Sequence, residues 1–69
     1  MTLKEYRIKL AWSVAELSRR TGLSPRTIAR IENGDPVYLH SVAAVAKVLT
    51  EALGYAVSVW DIKGVNIVE

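Results

Sequence analysis

The sequence contains no cysteine, no phenylalanine and a single histidine, His40. Without cysteine the chain has neither disulfides nor thiolate metal ligands, and one histidine cannot supply a multi-histidine metal centre. We therefore predict no metal site, no cofactor and a fold held by packing alone. No stretch approaches the roughly 18 consecutive apolar residues of a membrane span, and the N-terminus lacks the apolar run of a signal peptide. A cytoplasmic protein without membrane contact is the default expectation.

Catalytic arrangements are missing as well. The chain has no Gly-rich phosphate loop and no pair of acids beside a base. The lone His40 has no neighbouring residue that would make it a general base or a pH switch. We therefore predict that the protein is not an enzyme.

The chain is short for the amount of apolar surface that it carries. Its 69 residues allow one small domain, near the lower limit at which a single core suffices. Apolar residues make up 51% of the sequence, which is high for such a length. Part of this apolar surface is therefore expected to meet a second subunit.

Positive charge is concentrated in the first half of the chain. Residues 1–34 hold seven basic and three acidic residues, a net charge of +4, whereas residues 35–69 hold two basic and four acidic residues, a net charge of −2. This asymmetry is typical of a polyanion-binding half joined to an assembly half, although charge on small helices also scatters in this way by chance.

The central third of the chain reads as two short helices joined by a tight turn. Ser13 is a helix N-cap residue, and Glu16 three positions later completes a capping-box pattern. Gly22 can take the positive φ that a sharp turn requires. Ser24 is a second N-cap, followed by Pro25 at the first helical position. Helix, turn and helix form a helix-turn-helix unit, whose second helix can enter a DNA major groove.

The second of these helices has two distinct faces. Ile28 and Ile31 are spaced to face the core, which leaves Arg26 and Arg30 one helical turn apart on the opposite face. Arginine is the commonest specific reader of guanine, so the pair indicates G·C pairs in the bound site. The alternative is a solvated basic face that touches only phosphate. The residues predicted to contact bases are Pro25, Arg26, Ala29 and Arg30.

At these positions the chain resembles the Cro/repressor-type (XRE-like) helix-turn-helix family of phage and bacterial regulators. The resemblance covers roughly residues 2 to 54 and is most specific in the turn and the second helix. At its flanks, Leu3, Arg7 and Trp12 fall at apolar, arginine and apolar positions of the family. The central residues that carry it are Ser13, Glu16, Leu17, Thr21, Gly22, Leu23, Ser24, Thr27, Ile28, Arg30, Ile31, Glu32 and Gly34.

Two positions depart from the family pattern. Val14 stands where the family usually has a glutamine that contacts the DNA backbone, which weakens the expected phosphate clamp. Ala11 stands where a helix-ending glycine is usual.

Residue patterns and resemblance together predict an all-α fold. It is a compact four-to-five-helix domain of the phage-repressor type, with a central helix-turn-helix and a short extended C-terminal tail. One domain spans residues 1–69. Its segments are helix 1 (2–10), helix 2 (14–20), the recognition helix (25–33), helix 4 (39–53) and a covering and dimerisation segment (54–69).

The resemblance also implies roles for individual residues. Arg7 pairs with Glu32 in a partly buried ion pair that fixes helix 1 against the recognition helix. Arg19 and Arg20 of helix 2 could reach phosphates or be solvated, and we favour solvation because helix 2 of this architecture contacts the DNA backbone mainly by its N-terminal end. Trp12 is expected to anchor the core and not to stack on a ligand. The residues expected to contact DNA phosphates are Ser13, Ser24, Thr27, Asn33 and Tyr38.

The last fifteen residues carry conflicting signals. Ser58 and Asp61 form a capping-box pattern that favours a short helix at Val59–Lys63 closed by Gly64, followed by an extended tail. The β-branched and aromatic residues of the same segment favour strands. The residues expected to cover the core or join a partner chain are Tyr55, Val57, Val59, Trp60, Ile62, Val65 and Ile67.

Two functions from different classes follow from these observations. The first is a transcriptional regulator, repressor-like, that binds a palindromic operator in double-stranded DNA as a homodimer. The second is a protein-interaction module, such as an antitoxin or anti-repressor partner, that retains the fold without reading DNA. Val14 and the modest net charge of +2 motivate the second.

Overall fold

Residues 1–68 are described by the computed structural model, and helices dominate them. The helices are α1 (Leu3–Lys9), α2 (Val14–Thr21), α3 (Pro25–Asn33) and α4 (Leu39–Leu53). A 3-10 helix at Val59–Asp61 and two short strands, β1 (Pro36–Val37) and β2 (Asn66–Ile67), complete the architecture. The predicted all-α fold is confirmed, and the four helices begin and end within one residue of the expected positions. Within residues 1–68, no helix combines the length and apolarity needed to cross a bilayer.

Side-chain caps determine where the first helix begins. The Glu5 N–H donates to the Thr2 hydroxyl at 3.2 Å, and the Thr2 N–H donates to the Glu5 carboxylate at 2.7 Å. This is a complete capping box, which satisfies two N–H groups that would otherwise lack a partner at the helix start. The bond from the Thr2 backbone holds the pKa of Glu5 below its ordinary value.

The capping box expected before α2 is only half formed. The Ser13 hydroxyl accepts the Glu16 N–H at 3.0 Å, as predicted. The Glu16 carboxylate, however, turns towards Arg19 and Arg20 on the next turn of its own helix. Two guanidinium groups offer this carboxylate stronger, charge-assisted bonds than the single cap N–H does.

The helices pack around one hydrophobic core. Leu17 of α2 and Ile28 of α3 are fully buried at its centre, with Val42, Val45 and Leu49 of α4 beside them. Leu53, expected on the same stripe, is half-buried. The remaining buried apolar residues are Leu3, Tyr6, Ile31, Val37, Ala46, Val57 and Ile62.

The C-terminal segment differs from its prediction. The helix is a single 3-10 turn at Val59–Asp61 instead of Val59–Lys63, and the Ser58 N–H donates to the Asp61 carboxylate at 2.9 Å. The extended tail forms β2, which pairs in parallel with β1. The tail is therefore part of a two-stranded sheet, because an extended segment gains backbone hydrogen bonds only by pairing with another strand.

Further hydrogen bonds, from a side chain and from the backbone, attach this segment to the helical body. The Thr50 hydroxyl of α4 both accepts the Val57 N–H at 2.9 Å and lies 3.2 Å from the Val57 carbonyl. The Lys63 N–H donates to the Met1 carbonyl at 3.0 Å, next to a parallel bridge between Thr2 and Lys63. The chain thus returns across the N-terminus of α1 before it reaches β1.

Candidate nucleic-acid interface

Helix α3 presents a polar face on the side away from the core. Ile28 and Ile31 have exposed fractions of 0% and 2%, which fixes the rotation of the helix. Four of the residues predicted on the opposite face are exposed in the structure, namely Pro25, Arg26, Ala29 and Asn33. A helix of this width can enter a major groove with that face forward.

The two arginines of α3 are placed differently. Arg26 is exposed and makes no hydrogen bond or ion pair within residues 1–68. Arg30 is half-buried, and its Nη2 donates to the Pro36 carbonyl at 2.8 Å. Arg26 is therefore exposed on the face opposite Ile28 and Ile31, as expected, whereas Arg30 is also held against the segment that follows the helix. The bond to Pro36 leaves most of the Arg30 donors unused.

Hydroxyl groups surround the N-terminus of α3. The Ser24 hydroxyl accepts the Thr27 N–H at 3.2 Å and lies 3.0 Å from the Thr27 hydroxyl. Ser24 is exposed and Thr27 is half-buried. Both hydroxyls therefore take part in the cap at the start of α3.

An ion pair connects α1 to the end of α3. Arg7 Nε donates to Glu32 Oε2 at 2.7 Å, and Arg7 Nη2 donates to Glu32 Oε1 at 3.1 Å. The Arg7 side chain is 15% exposed and the Glu32 side chain is 11% exposed. Arg7 Nη1 also donates to the Trp12 carbonyl at 3.2 Å. Arg7 and Glu32 thus form the pair that the family resemblance implies, and the bond to Glu32 raises the pKa of Arg7. The fork-shaped contact fixes α3 relative to α1.

The arginines of α2 are engaged within the chain. Arg19 and Arg20 both pair with Glu16, the latter at 2.7 Å, and the Arg20 guanidinium stacks on the Trp12 ring at 4.3 Å. Both side chains are exposed, at 72% and 48%, as expected of solvated arginines. The spacing of Glu16 from each arginine also brings the three residues together on one helical face, which was not predicted from the sequence. Burial raises the pKa of Glu16, but the bonds from Arg20 and Arg19 outweigh it and leave that pKa lowered.

The N-terminus of α2 carries the expected cap but little polar surface. Ser13 is exposed and its hydroxyl is turned to the helix, while Val14 is half-buried against the core. Val14 offers no side-chain donor, so any phosphate contact here depends on Ser13 and the backbone N–H groups.

The start of α4 lies beside α3 and carries two exposed rings. Tyr38 and His40 stack with ring centroids 5.8 Å apart and planes inclined by 10°. Tyr38 lines a groove of about 310 Å³ together with Thr27, Arg30 and Ser41. Sequence reasoning missed the stack, because residues two positions apart do not share a helical face and Tyr38 lies outside the helix. It also missed the Pro36 carbonyl, which no side-chain pattern could indicate.

The apolar residues of the C-terminal segment divide into two groups. Val57 and Ile62 are buried in the chain's own core, so of the two roles expected of this segment they cover the core and are not available to a partner chain. Tyr55 and Trp60 have exposed fractions of 50% and 70%, and Lys9 Nζ lies 5.8 Å from the Tyr55 ring centroid. Trp60 also lines a groove of about 420 Å³ together with Val59, Ile62, Lys63, Gly64, Val65, Asn66 and Ile67. We name Tyr55, Val59, Trp60, Val65 and Ile67 the C-terminal apolar surface.

Comparison with known proteins agrees with this geometry. A family model described as helix-turn-helix matches residues 3–58, which includes α1 to α4 and ends before the 3-10 helix. No curated protein and no solved structure gives a significant match to the chain. The match confirms the resemblance first seen in the sequence.

Proposed function

Because the chain belongs to the Cro/C1-type helix-turn-helix family of DNA-binding proteins, we propose that it is a transcriptional regulator that reads a palindromic operator as a homodimer. The observation that carries this proposal is the outward face of α3, on which Arg26 is exposed and unpaired within residues 1–68. A cation without an internal partner is available to a phosphate or to the edge of a guanine.

In this proposal α3 supplies the base contacts. Arg26 donates to guanine O6 and N7, and Arg30 uses the donors that Pro36 leaves free. Pro25 and Ala29 give apolar contact to thymine methyl groups. The residues proposed to hold phosphates are Ser13, Ser24, Thr27, Asn33 and Tyr38, which position the helix without reading sequence.

The net charge available to DNA supports the location of this interface. Of the seven basic residues in 1–34, Arg7, Arg19 and Arg20 are paired with carboxylates. The remaining four are Lys4, Lys9, Arg26 and Arg30. Two of those four lie on α3, so half of the basic side chains of residues 1–34 that lack a carboxylate partner lie on the proposed recognition helix.

We place dimerisation at the C-terminal apolar surface. The Trp60 side chain is 70% exposed and therefore contributes little to the stability of the monomer, but a tryptophan on the surface can anchor an interface. In a dimer the two copies of α3 would read half-sites about 34 Å apart, one turn of DNA. A dimer has twice the few base contacts of one module, which brings its affinity into the range of specific protein–DNA complexes, with Kd of roughly 10⁻⁸–10⁻¹¹ M.

Selection of bound sequences from a random duplex pool, with sedimentation of the free protein, tests this proposal. The expected result is an inverted repeat with half-sites about 10 base pairs apart and a dimer in solution. Binding should weaken steeply as salt rises, since counterions are released from the duplex. No enriched sequence, together with no duplex binding at low salt, would contradict DNA reading. A monomer bound to a single half-site would contradict the homodimer alone.

One observation favours the alternative function, a protein-interaction module such as an antitoxin or anti-repressor partner. The C-terminal apolar surface could receive another protein as readily as a second copy of this chain. The salt series separates the two functions, because a module that only binds protein would show no duplex binding at any salt concentration.

A further inference from the structure

The C-terminal strand is attached to the segment that directly follows α3. Pro36 and Val37 pair in parallel with Asn66 and Ile67, and the Val68 N–H donates to the Val37 carbonyl at 2.9 Å. β1 begins only three residues after the last residue of α3. A change in β2 is therefore transmitted to the backbone at the end of the recognition helix.

The other edge of β1 holds a side chain of α3. Successive carbonyl groups of an extended strand point to opposite edges. The Val37 carbonyl faces β2, whereas the Pro36 carbonyl accepts Arg30 Nη2 at 2.8 Å. β1 spans two residues and is held by the burial of Val37, 5% exposed, and by the pairing with β2. The position of the Pro36 carbonyl that Arg30 contacts therefore depends in part on β2.

A second contact joins the tail to the end of α3. Gly34, which ends the helix with φ of 78°, lies so close to the Gly64 carbonyl that an added Cβ would be 3.4 Å from its oxygen. Val68 also lines the same groove as Arg30. The family model ends at residue 58, so all of these tail residues lie outside the matched region.

We infer that β2 is a specificity-determining element, which holds β1 so that the Pro36 carbonyl positions Arg30 for reading a base pair. This inference rests on the proposed function. An arginine held by one hydrogen bond loses less rotamer freedom when it binds a base than a free one does. If β2 is released, Arg30 keeps its charge and its attraction to phosphate, but loses its fixed direction.

The test removes one backbone donor from the tail. Val68→Pro eliminates the N–H that bonds to Val37, and Val68→Leu is the matched control that retains it. Binding is measured to the selected operator and to operators with single base-pair changes. At the base pairs that Arg30 reads, we expect the ratio of the affinity for the operator to that for the changed operator to fall about three- to tenfold in Val68→Pro. This is within the usual range of coupling between residues of one hydrogen-bond network. The salt slope should stay unchanged, because no phosphate contact is lost.

A double-mutant cycle separates positioning from a general structural effect. If β2 acts through Arg30, Val68→Pro should leave base preference unchanged in an Arg30→Ala background. A loss of the same size in both backgrounds would overturn the inference, as would wild-type base preference in Val68→Pro itself. Circular dichroism of each variant establishes that it is folded.

The wild-type protein provides a second measurement that needs no variant. Coupling between two sites is reciprocal, so an operator that engages Arg30 should tighten the tail. Hydrogen exchange at the Val68 N–H should slow more with operator than with a scrambled duplex. Equal exchange rates with both duplexes would overturn the inference and leave the proposed function standing. A wild-type protein that selects no sequence would overturn both.

Discussion

Helices α2 and α3 each carry two arginines, yet within residues 1–68 only those of α3 lack a carboxylate partner. On α2, Glu16 lies one turn from Arg19 and Arg20 and pairs with both. On α3, the single acid Glu32 is paired with an arginine of α1 instead. No carboxylate within residues 1–68 contacts Arg26 or Arg30 at ion-pair distance. The comparison teaches that the position of the acids, more than the number of arginines, decides which helix keeps arginines without a carboxylate partner.

The largest expected effect is on stability and comes from removing Arg7, whose pairing with Glu32 keeps that carboxylate from the arginines of α3. Arg7→Ala leaves a carboxylate with 11% exposure and no partner, and also frees the Trp12 carbonyl. We expect a loss of about 2–4 kcal/mol in the free energy of unfolding, less than for a fully buried pair because some water reaches both groups. Urea unfolding followed by circular dichroism measures this loss.

Arg7→Lys is the matched control for that prediction. Lysine retains the charge but not the two-pronged contact, so an intermediate loss is expected. Arg7→Ala combined with Glu32→Ala should recover part of the stability, because no unpaired charge remains. Full stability in Arg7→Ala alone would show that the pair does not fix α3.

The second prediction compares the loss of operator binding on removing one arginine of α3, Arg26, with the loss on removing one arginine of α2, Arg19. Arg26→Ala should weaken specific operator binding by about 1–3 kcal/mol and relax base preference at one position. Arg19→Ala, with its side chain 72% exposed and its charge already paired, should change operator binding by less than about 0.5 kcal/mol. Gel-shift titrations on operator and scrambled duplex compare the two. Equal losses would mean that the internal pairing of α2 does not withhold its arginines from DNA.

The third prediction extends the comparison to the turns that end the helices. α2 and α3 are each followed by a glycine with positive φ, whereas in the turn after α1 the residue with positive φ is Ala11, at 58°. The Trp12 N–H donates to the Arg7 carbonyl at 3.0 Å across this turn, which requires that conformation. Ala11→Gly should therefore stabilise the fold by about 0.5–1 kcal/mol, as the Cβ strain is removed.

Thermal unfolding measures the effect of Ala11→Gly. Ala15→Gly, on the exposed surface of α2 with ordinary helical geometry, is the control and should destabilise by about 0.5–1 kcal/mol. If both substitutions destabilise equally, Ala11 is not strained.

The smallest expected effect concerns acid pH. The pKa of Glu16 lies below its ordinary value of 4.5 because the bonds from Arg20 and Arg19 outweigh the effect of burial. Because the pKa of Glu16 is lower in the folded state than in the unfolded state, its carboxylate stabilises the fold at pH values above the unfolded-state pKa. That stabilisation is lost as the pH falls through the folded-state pKa. An NMR titration of the Glu16 carboxyl should show a midpoint below 4.5, which moves up in Arg20→Ala. An unchanged midpoint in that variant would contradict the proposed cause.

The parts of the fold that the sequence predicts are those decided by neighbours along the chain. Ser24 and Pro25 define the start of α3 and Gly34 its end, since caps act within one helical turn. The pairing of β1 with β2 could not be predicted from the sequence, because it joins residues thirty positions apart. Each strand has only two residues, too few to show a strand-like alternation of apolar and polar residues. The placement of Arg30 depends on that pairing, so it could not be predicted either.

The two tryptophans of the chain occupy opposite settings. Trp12 is half-buried beneath the Arg20 guanidinium, whereas Trp60 is 70% exposed in the C-terminal apolar surface. The molecule therefore contains two intrinsic fluorophores that quenchers such as iodide would distinguish. Shielding of the outer indole would report contact at that surface, while emission from the inner one follows unfolding of the helical body.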